Sequence, residues 1–303
     1  MALVECVPNF SEGRRPEVVT AIRDAVAAVP GVWVLDVSSD RSHNRTVITM
    51  VGAPDRIGDG ALAGIREASR AIDLNAHEGC HPRMGAADVV PFVPLEGATM
   101  DDCVRIARDV GRRVADELEI PVYLYEHAAL RPARRNLADV RRGGFEGLRE
   151  RVASDPDARP DFGPARLHAT CGAVAVGARD LLVAYNVFLG PAANMPVARD
   201  VARAVRASAL GGLRGVKALA FEVDGQAQLS MNLVEPAVTT VRDAFERVRD
   251  EARRSGVEPT WSEIVGLVPA QALGGAAPAD LLLRGFDRSR DTLEARIRSA
   301  RSA

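Results

Sequence analysis

The sequence is poor in lysine and in aromatic residues. Lys217 is the only lysine among 39 basic residues, and Phe, Trp and Tyr make up 4% of the 303 residues. The four cysteines are Cys6, Cys80, Cys103 and Cys171, and no two of them form a CxxC pair. Their spacing argues against a disulfide framework and favours a reduced cytosolic setting. No apolar run is long enough to span a bilayer, and no basic segment followed by an apolar one stands near the first residue. We therefore expect a cytoplasmic protein.

The overall charge and length describe an ordinary globular protein. The formal net charge is −2, with 26% charged and 47% hydrophobic residues. Such a balance indicates neither a nucleic-acid partner nor a membrane surface. A chain of this length predicts two domains or subdomains. Because the basic residues are nearly all arginine, they suit the bidentate binding of carboxylates.

Two histidines four residues apart form the most informative segment. His77-Glu78-Gly79-Cys80-His81 matches the H-E-x-x-H pattern of zinc peptidases, which requires a helix that places both imidazoles on one face. Gly79 weakens such a helix, and Pro82 disfavours the helical conformation at His81. No third ligand follows at the usual spacing, so we expect a loop and no metal.

A loop rich in Gly and Pro can position polar side chains for chemistry. His81, Arg83 and Asp88 lie within or next to such a loop, and an apolar segment, residues 89–94, follows it. The alternative is a surface loop with a solvated histidine. Because loops held by a rigid scaffold commonly carry function, we favour a catalytic or ligand-binding role.

The hydrophobic pattern alternates short strands with amphipathic helices in both halves of the chain. In the first half it predicts strands at 3–7, 32–37, 46–51, 89–93 and 122–125 and helices at 17–29, 56–72 and 100–118. In the second half it predicts strands at 173–176, 181–189, 217–223, 228–234 and 264–268 and helices at 198–207, 239–254 and 284–303. The first half follows the β-α-β-β-α-β order of a ferredoxin-like domain. The polar segment 141–164 is interpreted as the connection between halves.

Several segments along the chain together resemble one family. They include Val4-Glu5-Cys6-Val7-Pro8-Asn9-Phe10-Ser11-Glu12-Gly13, Asn44-Arg45-Thr46-Val47, His81-Pro82-Arg83-Met84-Gly85-Ala86, Pro160-Asp161-Phe162-Gly163-Pro164, Ala184-Tyr185-Asn186, Gln228-Leu229-Ser230-Met231-Asn232-Leu233 and Ser262-Glu263-Ile264-Val265-Gly266-Leu267-Val268-Pro269. In this order and over nearly the whole chain, they are similar to the glutamate formimidoyltransferases.

The resemblance implies a fold and a reaction. It implies an α+β protein of two ferredoxin-like subdomains, residues 1–170 and 171–303, with a substrate groove between them and a homodimeric assembly. The implied reaction moves a formimidoyl group from N-formimidoyl-L-glutamate to N5 of tetrahydrofolate, the co-substrate, in histidine degradation. Animal members carry a fused cyclodeaminase, so a separate cyclodeaminase is the expected downstream partner here.

The resemblance also implies the site residues. His81 matches the catalytic histidine, and the substrate-binding candidates are Asn9, Asn44, Arg45 and Arg83. The folate-binding candidates are Gly163, Pro164, Ala165, Arg166, Leu167, His168, Ala169, Thr170, Cys171, Gly172, Ser230 and Asn232.

The residues leave alternatives open. Arg45 and Arg83 suit carboxylates as guanidinium forks, or each is paired with a structural acid such as Asp40 or Asp88. Cys80, before the catalytic histidine, departs from the family's usual Glu or Ala. Two further functions therefore stand beside the first: a related transferase with another formimidoyl or formyl donor, and a non-catalytic folate-binding protein.

Overall fold

Two sheets, each covered by helices, make up the protein. A computed structural model describes residues 2–79 and 82–302, so Cys80 and His81 lie outside the described part. Each of the two compact units, Met1–Arg179 and Asp180–Ala303, combines one sheet with helices, which confirms the α+β class.

The first unit extends past the boundary expected from the sequence. That boundary falls at 170/171, whereas the compact units meet at 179/180. The reason is the strand Val174–Ala178, which pairs in parallel with Ala87–Pro94 and with Val122–Glu126 of the first unit.

Seven strands form the sheet of the first unit: β1 Val4–Cys6, β2 Asn9–Phe10, β3 Val32–Asp40, β4 Arg45–Gly52, β5 Ala87–Pro94, β6 Val122–Glu126 and β7 Val174–Ala178. The strands β1 and β2 both pair antiparallel with β4 on one side and β5 on the other. They therefore form one interrupted strand, and the order across the sheet is β3, β4, β1/β2, β5, β7, β6.

The helices of the first unit are α1 Pro16–Ala27, α2 Ile57–Ala71, α3 Met100–Leu118, α4 Leu137–Val140 and α5 Gly144–Arg151. Proline is favoured at the first position of α1. The N–H groups of a first turn have no partner within the helix, so proline loses no hydrogen bond there. A capping box between Thr99 and Asp102 begins α3. Apolar faces of α1, α2 and α3 pack with Val4, Cys6 and Phe10 in one core.

The segment 141–164 is part of the first unit, and its interpretation as a connection between halves was wrong. It contains α5, whose Phe145 and Leu148 are buried in the core. It then returns to β6, where the Asp161 carboxylate accepts a hydrogen bond from the Leu124 amide at 2.8 Å. A few large apolar residues within a polar composition are enough to dock it.

The second unit has a four-stranded antiparallel sheet. Its strands are β8 Val183–Pro191, β9 Val216–Val223, β10 Gln226–Leu233 and β11 Trp261–Val265, in the order β11, β8, β10, β9. Its helices are α6 Met195–Val205, α7 Val241–Arg253, α8 Arg288–Asp291 and α9 Leu293–Ser302. The predicted terminal helix 284–303 is thus confirmed only from residue 288 onward, with a break at Thr292.

No helix in the described part of the chain combines the length and apolar character needed to cross a membrane.

Candidate active site

A β-bulge sets the direction of one acidic side chain. Asn9 pairs with Val89 and Phe10 pairs with Ala87, so Asp88 is an extra residue of β5 with no partner in β2. Bulges of this kind change the side of the sheet to which a side chain points. The bulge places the Asp88 carboxylate beside Arg45.

Asp88 lies between two guanidinium groups. Its Oδ2 is 2.8 Å from Arg45 Nη1 and 2.7 Å from Arg141 Nη2, and its side chain has no exposed surface. Its Oδ1 accepts from the Met84 amide at 2.8 Å. The guanidinium groups of Arg45 and Arg141 thus share one oxygen of this carboxylate. Burial lowers the pKa of Arg45, with Arg141 adding to the decrease and Asp88 opposing it.

Asn9 and Arg45, two predicted substrate-binding residues, contact each other. Arg45 Nε donates to Asn9 Oδ1 at 3.0 Å, and Asn9 Nδ2 donates to the Val7 carbonyl at 2.9 Å. Asn9 therefore orients the arginine from the neighbouring strand. Arg45 is paired with Asp88, one of the two structural acids considered above.

Arg83, another predicted substrate-binding residue, is paired with Glu146 of α5. Its two terminal nitrogens lie 3.1 and 2.8 Å from the two carboxylate oxygens. Its Nε donates to Nδ1 of His77 at 3.0 Å. All three nitrogens of this guanidinium thus donate to protein acceptors. The hydrogen bond from Arg83 lowers the pKa of Glu146.

Asn44, the fourth predicted substrate-binding residue, fixes the start of the loop that contains His77 and His81, called the histidine loop below. Its Oδ1 accepts from the Gly13 amide at 2.9 Å, and its Nδ2 donates to the Glu78 carbonyl at 3.0 Å. Its backbone carbonyl lies 3.0 Å from His77 Nε2. Asn44 has a φ of 47°, a left-handed conformation that asparagine tolerates better than most residues.

The zinc-peptidase pattern lacks its helix. The described residues of the pattern, His77 to Gly79, lie outside any helix. A Cβ at Gly79 would lie 2.4 Å from the His43 carbonyl oxygen, so this backbone packs against a neighbouring turn. The prediction of a loop is confirmed for these three residues. Across residues 2–79 and 82–302, no three His, Cys, Asp or Glu side chains group as metal ligands would.

The predicted catalytic residue, His81, lies outside the described residues, and the segment 84–86 follows it in the chain. This segment pairs with the end of the predicted folate stretch. The Ala86 amide donates to the Cys171 carbonyl at 2.9 Å, and the Ala173 amide donates to the Met84 carbonyl at 3.0 Å. Two segments that the sequence separates by more than 80 residues therefore form one backbone ladder.

Glycine makes this ladder possible. Gly85 and Gly172 form an antiparallel bridge, and a Cβ on Gly85 would lie 1.8 Å from the Ala173 carbonyl oxygen. A Cβ on Gly172, whose φ is 72°, would lie 2.3 Å from the Met84 carbonyl oxygen. The Gly85 carbonyl also accepts from the Ser11 hydroxyl at 2.7 Å. Side chains at either glycine would separate the two segments.

The rest of the folate stretch, 163–172, is partly exposed and contains a tight turn. The backbones of His168 and Gly172 exchange hydrogen bonds of 3.0 and 3.2 Å. His168 Nδ1 accepts from the amides of Thr170 and Cys171 at 3.4 and 3.2 Å. Burial raises the pKa of the Cys171 thiol to about 12, so this cysteine is neutral and unreactive near pH 7.

Ser230 and Asn232 lie on β10 of the second unit. They alternate with Leu229, Met231 and Leu233, which are buried in the core of that unit. Successive side chains of a strand point to opposite faces, so both polar residues share the face away from this core. Their role as folate contacts stays a prediction.

One buried acid of the first unit has no assigned role. Glu5 on β1 is 6% exposed and lies opposite Val51 and Val93, which share its face of the sheet. Burial raises its pKa from 4.5 to about 7, and the charge of Arg179 limits the increase.

The sequence did not single out Arg141 or Glu146 as site residues. Both follow the histidine loop by more than 50 residues, in the segment interpreted as a connection. The only local signal was the pair Phe145 and Leu148, whose spacing is compatible with a docked helical turn.

Comparisons with known proteins agree with this architecture. A model described as "Formiminotransferase domain, N-terminal subdomain" matches residues 3–179, and one described as "Formiminotransferase domain" matches residues 184–283. The first match ends at the boundary between the two compact units, and the second covers residues 184–283 of the second unit.

Individual relatives match over most of the chain. The chain is 50% identical to a glutamate formimidoyltransferase of Thermoplasma acidophilum, over 99% of each protein. It is 44% identical to a glutamate formimidoyltransferase of Streptococcus pyogenes serotype M1, over 96% of this chain and 97% of that one. It is 42% identical to a formimidoyltransferase-cyclodeaminase of Rattus norvegicus, over 91% of this chain and 52% of that one. The chain belongs to the formiminotransferase family.

Proposed function

We propose that this protein transfers a formimidoyl group from N-formimidoyl-L-glutamate to N5 of tetrahydrofolate and releases L-glutamate. The observation that supports this best is the ladder between 84–86 and 171–173, since it joins the predicted catalytic loop to the predicted folate stretch. Two relatives of nearly full coverage bear the name glutamate formimidoyltransferase.

The chemistry requires one group that both accepts and donates a proton. N5 of the folate attacks the formimidoyl carbon to give a tetrahedral adduct, and N5 loses its proton. The glutamate nitrogen leaves only when it is protonated. An imidazole with an ordinary pKa of about 6.5 performs both transfers near neutral pH, and we assign this role to His81. Such general acid–base catalysis is worth about 10²–10⁴ in rate.

Binding of the substrate carboxylates requires positively charged side chains that are shielded from solvent. The cluster of Arg45, Asp88 and Arg141 brings two guanidinium groups together, and a guanidinium matches a carboxylate in geometry and charge. We assign Arg45 to a carboxylate of formimidoylglutamate. Asn9 and Asn44 complete the proposed substrate set, and their protein partners fix the strand and loop around Arg45. Arg83 is the fourth proposed substrate-binding residue, and its ion pair with Glu146 also connects the loop to α5.

The stretch 163–172 is the proposed binding site of the co-substrate, tetrahydrofolate. Its exposed positions, among them Ala165, Arg166 and Ala169, leave backbone and side chains open to a ligand. We propose that Ser230 and Asn232 supply polar contacts from the second unit. No metal takes part in the proposed step.

We further propose that each unit is a ferredoxin-like module. The strand orders support this, because β5, β1/β2, β4, β3 and β11, β8, β10, β9 each follow the order 4-1-3-2 within a β-α-β-β-α-β succession. In the first unit, β7 and β6 extend the sheet in parallel. A homodimer and a cytoplasmic setting complete the proposal. The described cysteines Cys6, Cys103 and Cys171 are free thiols, as a reducing compartment favours.

The test is a direct assay with the purified full chain. Incubation with formimidoylglutamate and tetrahydrofolate should release glutamate and form 5-formimidoyltetrahydrofolate in equal amounts, both measured by mass spectrometry. His81→Ala should lower turnover by about 10²-fold or more. Near-wild-type turnover of that variant would remove His81 from the mechanism.

Two other outcomes distinguish the alternatives. If the wild-type protein binds tetrahydrofolate but releases no glutamate, it is a folate-binding protein. If a screen of formimidoyl- and formyl-amino acids gives turnover with a different donor only, it is a related transferase.

A further inference from the structure

His77 makes two hydrogen bonds that together define its protonation. Its Nε2 lies 3.0 Å from the backbone carbonyl of Asn44, and its Nδ1 lies 3.0 Å from Nε of Arg83. A carbonyl oxygen only accepts and an arginine N–H only donates. The ring is therefore neutral, with its proton on Nε2 and a lone pair on Nδ1.

The arginine held by this lone pair is fixed on its other side as well. Arg83 forms a two-point ion pair with Glu146 and lies 5.9 Å from the centre of the Phe145 ring. Its carbonyl accepts from the Phe145 amide at 2.8 Å. A continuous set of contacts thus runs from the Asn44 turn through His77 and Arg83 to α5.

These contacts flank the segment 78–82. The Glu78 carbonyl at its start accepts from Asn44, and the Pro82 carbonyl at its end accepts from Arg141. The His77–Arg83 bond joins the residues immediately outside the two ends. The predicted catalytic residue belongs to this segment by its position in the sequence.

We propose that His77 is a positioning residue: as the neutral Nε2–H tautomer, it holds Arg83 and so sets the two ends of the segment that carries His81. This inference rests on the proposed function of His81. His77 transfers no proton in the reaction, because each of its nitrogens is already committed to a protein partner. Its contribution is geometric, and misplacement by about 1 Å can lower a rate by about 100-fold.

The first experiment reads the tautomer without any assay of activity. The full-length chain is labelled with ¹⁵N-histidine, and long-range ¹⁵N–¹H correlations are recorded near pH 7.5, with His77 assigned by comparison with His77→Asn. The expected pattern is a protonated Nε2 and an unprotonated Nδ1. A protonated Nδ1, as the other tautomer or as imidazolium, would overturn the proposal and leave the proposed function of the protein untouched.

The second experiment separates positioning from general destabilisation. His77→Leu removes the acceptor for Arg83, so kcat should fall about 10- to 100-fold while both KM values change less than about threefold. His77→Asn supplies Oδ1 as an acceptor near the Nδ1 position and should recover most of the loss. The matched control is His43→Asn, since His43 is half exposed and paired with Asp40; its kcat should stay within about twofold of wild type.

The outcomes distinguish this inference from the proposed function. If His77→Leu keeps wild-type kcat while His81→Ala is inactive, His77 has no positioning role and the proposed function stands. If His81→Ala keeps full turnover, the proposed function fails regardless of the behaviour of His77. If His77→Leu does not fold, the tautomer and the recovery in His77→Asn still decide the matter.

Discussion

The Arg45 guanidinium lies 2.8 Å from the Asp88 carboxylate, and Asp88 is completely buried. A second guanidinium, that of Arg141, shares the same carboxylate oxygen at 2.7 Å. Asp88 is therefore the acid that allows two partly buried positive charges to lie side by side.

Asp88→Asn should destabilise the protein by about 3–5 kcal/mol, because it leaves two partly buried guanidinium groups without the buried negative charge that they share. The amide still offers an acceptor to the Met84 amide, so the effect isolates the lost charge. Chemical denaturation near pH 7.5 measures it. The matched control is Asp59→Asn, which breaks a half-exposed pair with Arg113 and should cost less than about 1 kcal/mol. Equal effects of the two variants would contradict the prediction.

Gly85→Ala should destabilise the protein by about 3 kcal/mol or more, since its Cβ would lie 1.8 Å from the Ala173 carbonyl oxygen and would open the ladder. The matched control is Gly147→Ala in α5, where nothing lies within 4 Å of the added methyl group. That variant should gain about 0.5–1 kcal/mol, because alanine favours a helix interior over glycine. Thermal unfolding of both variants tests the opposite signs.

Glu5→Gln should change the pH dependence of stability. Its folded-state pKa is raised from 4.5 to about 7, so its protonated form favours folding. This favourable contribution is fully present below pH 4.5 and is lost as the pH rises through 7. Above pH 7 the wild-type protein carries a penalty of about 3 kcal/mol that the glutamine variant lacks.

The comparison of unfolding midpoints at pH 5 and pH 8.5 checks this. Glu5→Gln should exceed wild type in stability at pH 8.5 and approach it at pH 5. The control Glu17→Gln changes an exposed residue of α1 and should follow the wild-type profile. A Glu5→Gln profile parallel to wild type would show that the carboxylate finds full compensation in the folded state.

His168→Ala should disrupt the turn of the folate stretch. It removes the acceptor of the Thr170 and Cys171 amides, at a cost of about 1–3 kcal/mol. Under the proposed function, the KM for tetrahydrofolate should rise while that for formimidoylglutamate stays the same. His168→Asn should preserve both values, because an asparagine oxygen accepts from amides two and three residues later. A rise in KM in both variants would instead indicate a direct contact of the imidazole with folate.

Local periodicity predicted much of the fold. The strand predicted at 89–93 lies within Ala87–Pro94, and the helix predicted at 100–118 is Met100–Leu118. Each element can be predicted from a short window of sequence, because its apolar residues recur at the spacing typical of a strand or of a helix. The helix α5 escaped prediction because Gly143 precedes it, Gly144 is its first residue, and its apolar face consists of few residues.

The site was harder to predict than the fold. The direction of Asp88 depends on how β5 pairs with β2, and the alternation of a single strand contains no information about that bulge. The partnership of Arg141 with Asp88 spans 53 residues and depends on the docking of a polar segment. The sequence marked His77 through a zinc motif, whereas its actual partners are the Asn44 carbonyl and Arg83. Long-range pairing, which no local pattern encodes, accounts for each difference.

The ladder between 84–86 and 171–173 also bears on how the protein is made. Before residues 171–173 have emerged from the ribosome, the segment 84–86 has no partner with which to form the ladder. The amide of Ala86 and the carbonyl of Met84 must then remain hydrated until the later residues emerge. This ladder can therefore form only after more than half of the 303 residues have been synthesised, although the predicted catalytic residue, His81, lies in the first third of the chain.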